Sequence, residues 1–228
     1  MAPPLVPSTG LGVLHLFCTV GEGTDRAAVE AAVKSAVDEE LQIVPIATLG
    51  HKADVAFMAL GADWWQLKQF QTALQVAGLT IIDSYVSLTE LSEYAQGLPE
   101  QMANARLYPQ LPPEGMTAWC FYPMSKKRER KANWFTLPYD ERKALMHEHG
   151  ASGRKFAGRI VQLITGSAGV DDYEWGVTLF AQRPDDLKEV VYKMRFDEAS
   201  AKYADFGVFV TGAVGTLAEV LDAAGVPD

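Results

Sequence analysis

Cysteine is nearly missing from this chain: Cys18 and Cys120 are the only two among 228 residues. A disulfide framework is thereby excluded, and both thiols sit in apolar runs, the pattern of buried cysteines in a reducing compartment. No apolar run approaches the roughly 18 residues that a membrane span needs. The start, Met1-Ala2-Pro3-Pro4, lacks the basic and then apolar regions of an export signal, so the expected location is cytoplasmic with no membrane partner. Basic residues are in deficit, with 20 Lys and Arg against 29 Asp and Glu and a net charge of −9. That balance argues against general nucleic-acid or anionic-membrane binding. Histidine is scarce as well, with four in the chain.

What is present is enough apolar material, 48% of residues, for one large core or two small ones. Two halves of similar design follow one another. Leu11 to Val20 reads as a buried strand, Asp25 to Val37 as an amphipathic helix, and Ile43 to Thr48 with Ala53 to Leu60 as a strand pair. Asp63 caps a helix running to Val76, Gly78 stops it, and Leu79 to Val86 is a further strand. Leu88 to Ala95 is expected to add a short helix. The order β-α-β-β-α-β is that of a ferredoxin-like unit, here residues 1–95. Residues 96–115 carry Pro99, Pro109, Pro112 and Pro113 and read as a crossover linker.

The pattern restarts in residues 116–228. Thr117 to Tyr122 is a strand, and Pro138 to Gly150 a helix with proline near its start and glycine at its end. Arg159 to Thr165 and Gly176 to Ala181 are strands. Pro184 to Met194 is a helix, continued after a break by Ala199 to Ala204, and Gly207 to Gly212 is the last strand. Two such units pair their sheets into an α+β barrel with helices outside.

The chemistry concentrates in two stretches. Cys120-Phe121-Tyr122-Pro123-Met124-Ser125-Lys126-Lys127-Arg128 takes an apolar strand into a tyrosine and then a run of cations. His147-Glu148-His149-Gly150 offers an imidazole near a helix end. A redox-capable phenol, donors for carboxylates and an imidazole suit a haem-like group with charged propionates better than they suit a hydrolase. Taken singly, each has an ordinary reading: a cationic run is a solvated loop, a tyrosine at a strand end packs its ring, and a histidine at a helix C-terminus answers the dipole.

Together with Asn133-Trp134-Phe135, Thr165-Gly166-Ser167, Asp171-Asp172-Tyr173-Glu174-Trp175-Gly176 and Met194-Arg195-Phe196-Asp197-Glu198-Ala199-Ser200, these stretches resemble the chlorite dismutase-like superfamily. The likeness is nearest to its coproheme decarboxylase branch and covers nearly all of the second half. It implies a dimeric α+β barrel protomer, a homopentamer, and a porphyrin held by the C-terminal half. The implied reaction converts iron coproporphyrin III to haem b, with hydrogen peroxide as oxidant and two propionates becoming vinyl groups. A transient contact with a ferrochelatase would follow from the same place in metabolism.

Residue by residue, the resemblance makes His149 the iron ligand, with Leu145 and Met146 on the same helical face and His147 turned to solvent. Tyr122 becomes the radical-forming phenol. Lys126 becomes the ammonium beside the reacting propionate. Met124, Trp134 and Trp175 would line the pocket, while Arg195, Ser200 and Arg106 would meet propionates. His15 and His51 receive no role.

Departures from the relatives also inform. Chlorite-degrading members hold a distal arginine where this chain has Gln162, and an amide cannot supply that fixed charge. Arg159, three residues earlier, is expected on the opposite side of the strand. No histidine lies between His51 and His147 to act as a distal base. The alternatives are a chlorite dismutase or peroxidase-type haem enzyme, which Gln162 disfavours, and a non-catalytic haem carrier, which would need His149 but not Tyr122.

Overall fold

A computed structural model describes residues 3–95 and 97–227. Met1, Ala2, Asp228 and Gln96, the first residue of the expected linker, lie outside the described residues. The N-terminal elements are β1 (Gly12–Thr19), α1 (Arg26–Asp38), β2 (Gln42–Leu49), β3 (Val55–Gly61), α2 (Trp64–Val76), β4 (Thr80–Thr89) and α3 (Glu100–Leu107). Then come β5 (Ala118–Lys126), the short hairpin β6 (Arg128–Glu129) and β7 (Ala132–Asn133), α4 (Tyr139–Arg154), β8 (Ile160–Gly166) and β9 (Trp175–Ala181). The chain finishes with α5 (Pro184–Met194), α6 (Glu198–Ala201), β10 (Ala204–Phe206), β11 (Val210–Val214) and α7 (Leu217–Ala223).

Local chemistry sets several of these limits. The Asp25 and Asp63 carboxylates accept hydrogen bonds from the backbone N–H groups of Ala28 and Trp65, capping α1 and α2. After α2, Gly78 takes φ +89°, and a side chain there would run into the backbone of Gly23. Pro184 opens α5, where its missing N–H costs nothing.

The strands run β10-β5-β11-β2-β3-β1-β4-β8-β9, and β5 also pairs with β9, so the sheet closes on itself. Within it β2-β3-β1-β4 and β11-β5-β9-β8 have the ferredoxin-like order. Two seams join them: Thr211 to Val214 of β11 against Ile46 to Leu49 of β2, and Leu88 and Thr89 of β4 against Gly166 and Thr165 of β8. The expected dimeric α+β barrel is therefore the observed architecture.

Closure explains why β1 and β3 read as continuous apolar runs. Both of their faces are covered, so almost every residue is buried. Val13, Phe17, Met58, Trp119, Phe121, Leu163 and Phe180 fill the barrel interior. Leu14, Leu16, Phe57 and Leu79 pack outward beneath α1, α2 and α7. Cys120, Tyr122, Val177, Leu179 and Ile160 face outward beneath α5, with Met194 among them. A smaller cluster of Trp134, Ala199 and Tyr203, joined by Leu145 and Met146, ties α4 and α6 to the loop after β7.

Five expectations need correction. The helix expected over Ala199 to Ala204 is the short α6, Glu198–Ala201, because Ala204 already pairs with Lys126 as the first residue of β10. Leu88 to Ala95 forms no helix, because β4 runs on to Thr89 to make its seam with β8. The proline-rich linker contains the eight-residue helix α3, whose prolines lie outside its interior. The strand expected to stop at Tyr122 continues through Pro123 to Lys126, since β10 pairs with Met124, Ser125 and Lys126. The helix expected to stop at Gly150 reaches Arg154, so His149 lies inside α4 rather than at its end.

Candidate active site

Strand alternation puts Cys120, Tyr122, Met124 and Lys126 on one face of β5, the helix-covered outer face. The register carries that face across two neighbours. Cys120 pairs with Leu179 and Leu179 with Gln162; Tyr122 pairs with Val177 and Val177 with Ile164; Met124 pairs with Trp175 and Trp175 with Gly166. Leu163 and Thr165 point the other way, into the barrel. Tyr122, Met124, Gln162 and Trp175 therefore share one surface, although up to 53 residues separate them in the chain.

Tyr122 is buried, stacked on Phe209 with ring centroids 4.2 Å apart and edge-on to Phe206 at 5.7 Å. No described residue hydrogen-bonds its hydroxyl. Burial pushes the phenol pKa well above its ordinary value, Cys120 adds to the rise, and the Arg195 guanidinium opposes it. The phenol therefore stays protonated at neutral pH. Arg195 follows α5, is exposed, and stands 5.9 Å from the Phe206 ring.

Lys126, at the end of β5, is 8% exposed. Its Nζ donates to the Ala199 carbonyl at 2.7 Å and stands 4.4 Å from the centre of the Trp134 ring. Its backbone N–H donates to Glu174 Oε2 at 2.8 Å, and the other Glu174 oxygen takes the Arg128 guanidinium. Desolvation lowers the Lys126 pKa to about 8, against an upward pull from Glu174. Trp134 is the buried partner of this ammonium and packs edge-on against Tyr203 at 5.4 Å.

His149 is partly buried on α4. Its Nδ1 lies 3.2 Å from Asp197 Oδ2 and 3.4 Å from Ser200 Oγ. The Asp197 contact is one of ion-pair distance, and Oδ2 has no other partner among the described residues. Asp197 itself is fixed through Oδ1, which accepts from Ser152 Oγ at 2.7 Å. Burial lowers the His149 pKa, the Lys126 charge lowers it further, and Asp197 pulls it back up. The imidazole is thus neutral at neutral pH, with acceptors gathered at Nδ1. None of the described residues hydrogen-bonds Nε2. That donor set fits a haem-type iron: a neutral imidazole oriented through one nitrogen presents the other.

The other expected residues are distributed as follows. Ser200 is buried against the His149 ring. His147 is exposed, as its helical phase requires. Arg106 lies exposed on α3. Arg159 precedes β8 and its guanidinium turns to α5, where it pairs with Asp186 at 3.1 Å and Glu189 at 3.2 Å. It thus turns to the α5-covered side of the sheet, not to the opposite side expected of it, with both charge partners on α5. Asp197 and Glu174 escaped notice in the sequence although both lie inside motifs that carried the resemblance. An acid three residues before Ser200 was the available signal for Asp197. Glu90, whose Oε1 accepts from Trp175 Nε1 at 3.1 Å, had no such signal, because its partner lies across the β4–β8 seam.

Comparison with known proteins bears on the family and the fold. The model of the chlorite dismutase family matches residues 24–215. The coproheme decarboxylase of Staphylococcus carnosus is 48% identical over 177 residues, covering 72% of this chain and 70% of that protein. The coproheme decarboxylase of Staphylococcus saprophyticus is 43% identical over 183 residues, covering 76% and 73%. Among solved structures, a haem-binding protein from Thermus thermophilus superposes with a TM-score of 0.84 at 33% identity, covering 98% of both chains. A chlorite dismutase from Candidatus Nitrospira defluvii superposes at 0.77 with 19% identity, a likeness of fold alone.

Proposed function

The chain belongs to the chlorite dismutase family, and we propose that within it this protein is a coproheme decarboxylase, an oxidative enzyme of haem biosynthesis. The relatives at 43–48% identity carry that activity in their names. The observation that supports it most is the placement of His149, with Nδ1 against Asp197 and Nε2 unpaired, on the helix-covered side of the sheet face that carries Tyr122, Met124, Gln162 and Trp175.

In this reading the substrate is iron coproporphyrin III, the product is haem b, and hydrogen peroxide is the oxidant. The bound iron porphyrin supplies the redox chemistry. The residues of the chain do the rest. His149 holds the iron through Nε2, and Asp197 and Ser200 set the orientation of its ring. Tyr122 would give up its phenolic hydrogen to the peroxide-derived oxidant and regain one from the β-carbon of a propionate. The propionate would then lose a second electron to the same oxidant and release carbon dioxide, leaving a vinyl group, so that each propionate consumes one hydrogen peroxide and one proton and yields two waters. Arg195, Ser200 and Arg106 are the propionate contacts of the proposal, and Met124, Trp134 and Trp175 its apolar walls. Lys126 contributes a desolvated ammonium near the imidazole and the end of the tyrosine strand. Gln162 offers an amide where a chlorite-degrading relative would need a cation, which sets that activity aside. A pentameric assembly and a transient contact with a ferrochelatase belong to the same proposal, as does a cytoplasmic site of action; no helix among the described residues is long and apolar enough to cross a membrane.

The test is direct. Purified protein mixed with iron coproporphyrin III and titrated with peroxide is followed by mass spectrometry. Sequential loss of two carboxyl groups, ending at haem b, is the expected result; intact or merely bleached porphyrin overturns the proposal.

A further inference from the structure

Glu90 directly follows β4 and comes from the half of the barrel opposite to Tyr122, Lys126 and His149. Its Oε1 accepts the Trp175 indole N–H at 3.1 Å. The carboxylate fills the space in which a side chain on Gly166 would stand. Gly166 shares the outer face of β8 with Gln162 and Ile164, and Trp175 shares that of β9 with Val177 and Leu179. A row therefore runs Met124, Trp175, Gly166 across three neighbouring strands, and the Glu90 carboxylate closes it. Only a glycine at 166 leaves room for this. Glu90 is exposed to solvent as a residue, and its partly covered carboxyl group has its pKa raised by burial even though the indole N–H lowers it.

We propose that Glu90 is a specificity-determining residue: it locks the Trp175 indole as one wall of the porphyrin site and excludes a substrate carboxylate from that edge. The inference rests on the porphyrin reading above. Cations lie toward the β5 edge of the same face, across β9 and β8 from Glu90, with Lys126 two residues beyond Met124 and Arg195 near Tyr122. A planar ligand bearing carboxylates at several corners meets attraction there and like-charge repulsion at Glu90. Its orientation is then set so that an uncharged substituent abuts the Trp175 edge. A porphyrin with four carboxylates has fewer such orientations than one with two, and Glu90 weighs against the former.

The experiment compares metal-free coproporphyrin III, a tetracarboxylate, with metal-free protoporphyrin IX, a dicarboxylate, by fluorescence titration of the full chain. Glu90→Gln keeps an oxygen for the indole N–H and removes the charge. It is expected to tighten coproporphyrin binding up to about fivefold, the scale of a partly exposed charge pair, with protoporphyrin affinity unchanged. Glu90→Ala is expected to shift the ratio in the same direction and also to weaken the near-ultraviolet circular dichroism of the ligand-free protein by freeing the indole. An unchanged or reduced preference for coproporphyrin in both variants overturns the inference while leaving the porphyrin reading intact. If the wild-type protein binds neither porphyrin, that reading falls and this one with it.

Discussion

Asp197 Oδ2 stands 3.2 Å from His149 Nδ1, while Asp197 Oδ1 is held by Ser152 from the next turn of the same helix. The carboxylate bridges α4 to the start of α6, so the imidazole is oriented by a residue 48 positions away. An acceptor at Nδ1 favours the tautomer that carries its proton there, leaving the Nε2 lone pair for a metal. Low ring pKa serves the same end, because a neutral imidazole can coordinate without first losing a proton.

His149→Ala should therefore weaken iron porphyrin binding and shift the ferric absorption bands, whereas His147→Ala, at an exposed position, should leave them in place. Asp197→Asn keeps the volume but removes the charge at Nδ1, and a loss of iron affinity on the order of tenfold is expected from such outer partners. An unchanged ferric spectrum in His149→Ala would move the ligand to another residue.

Lys126 gives a pH signature. Its folded pKa of about 8 lies below its unfolded value near 10.4, so the unfolded chain binds more protons between those limits. Stability should therefore rise with pH across that window, by at most about 1.4 kcal/mol per unit, and this contribution should be flat below it. Urea unfolding of wild type and Lys126→Met at pH 7.5 to 10 reads the difference. Equal slopes in the two proteins would place the ammonium in solvent.

Much of this was legible in the sequence and some was not, for physical reasons. Asp25, Asp63, Gly78 and Pro184 are local signals, and the elements they bound lie close to where the chain indicates. The extension of β5 to Lys126 depends on β10, a partner some 80 residues away, and a proline after Tyr122 suggests a strand end. Gly150 looked like a helix stop, yet with α4 packed against α5 and α6 the helix runs on for another turn. At the site, alternation alone places Tyr122, Met124 and Lys126 together. Which face of β8 joins them requires the register through β9, and Glu90 requires the seam between the two halves.

Inside the barrel, His15 is fully buried. Its Nε2 lies 3.0 Å from Thr178 Oγ1, its ring 4.2 Å from that of Phe121, and its Nδ1 has no partner among the described residues. Burial lowers its pKa to about 3. The unfolded histidine titrates near 6.5, so between roughly pH 6.5 and 3 the unfolded chain binds more protons and stability falls with acid. His15→Gln keeps a polar group for Thr178 and should lose this part of the acid slope, up to about 1.4 kcal/mol per pH unit. Denaturation curves at pH 4.5, 5.5 and 7 would show it; parallel wild-type and variant curves would rule it out.

The sharpest test of the chemistry is at Tyr122. Its ring stacks on Phe209 and meets Phe206, while its hydroxyl has no hydrogen-bond partner among the described residues. Tyr122→Phe should therefore fold normally, because the packing stays and no buried partner is stranded. It should also bind iron coproporphyrin III with near wild-type affinity. Without the phenolic hydrogen, no group at this position can exchange a hydrogen with the propionate, and conversion should fall by about a hundredfold or more with KM little changed, the mark of an interaction made only in the transition state. Mass spectrometry after peroxide addition would then find coproporphyrin or bleached products in place of haem b. Normal vinyl formation in this variant would pass the radical to another side chain, with Trp175, on the same face and one strand away, as the first to substitute. Weakened binding with normal turnover would reduce Tyr122 to a wall of the pocket.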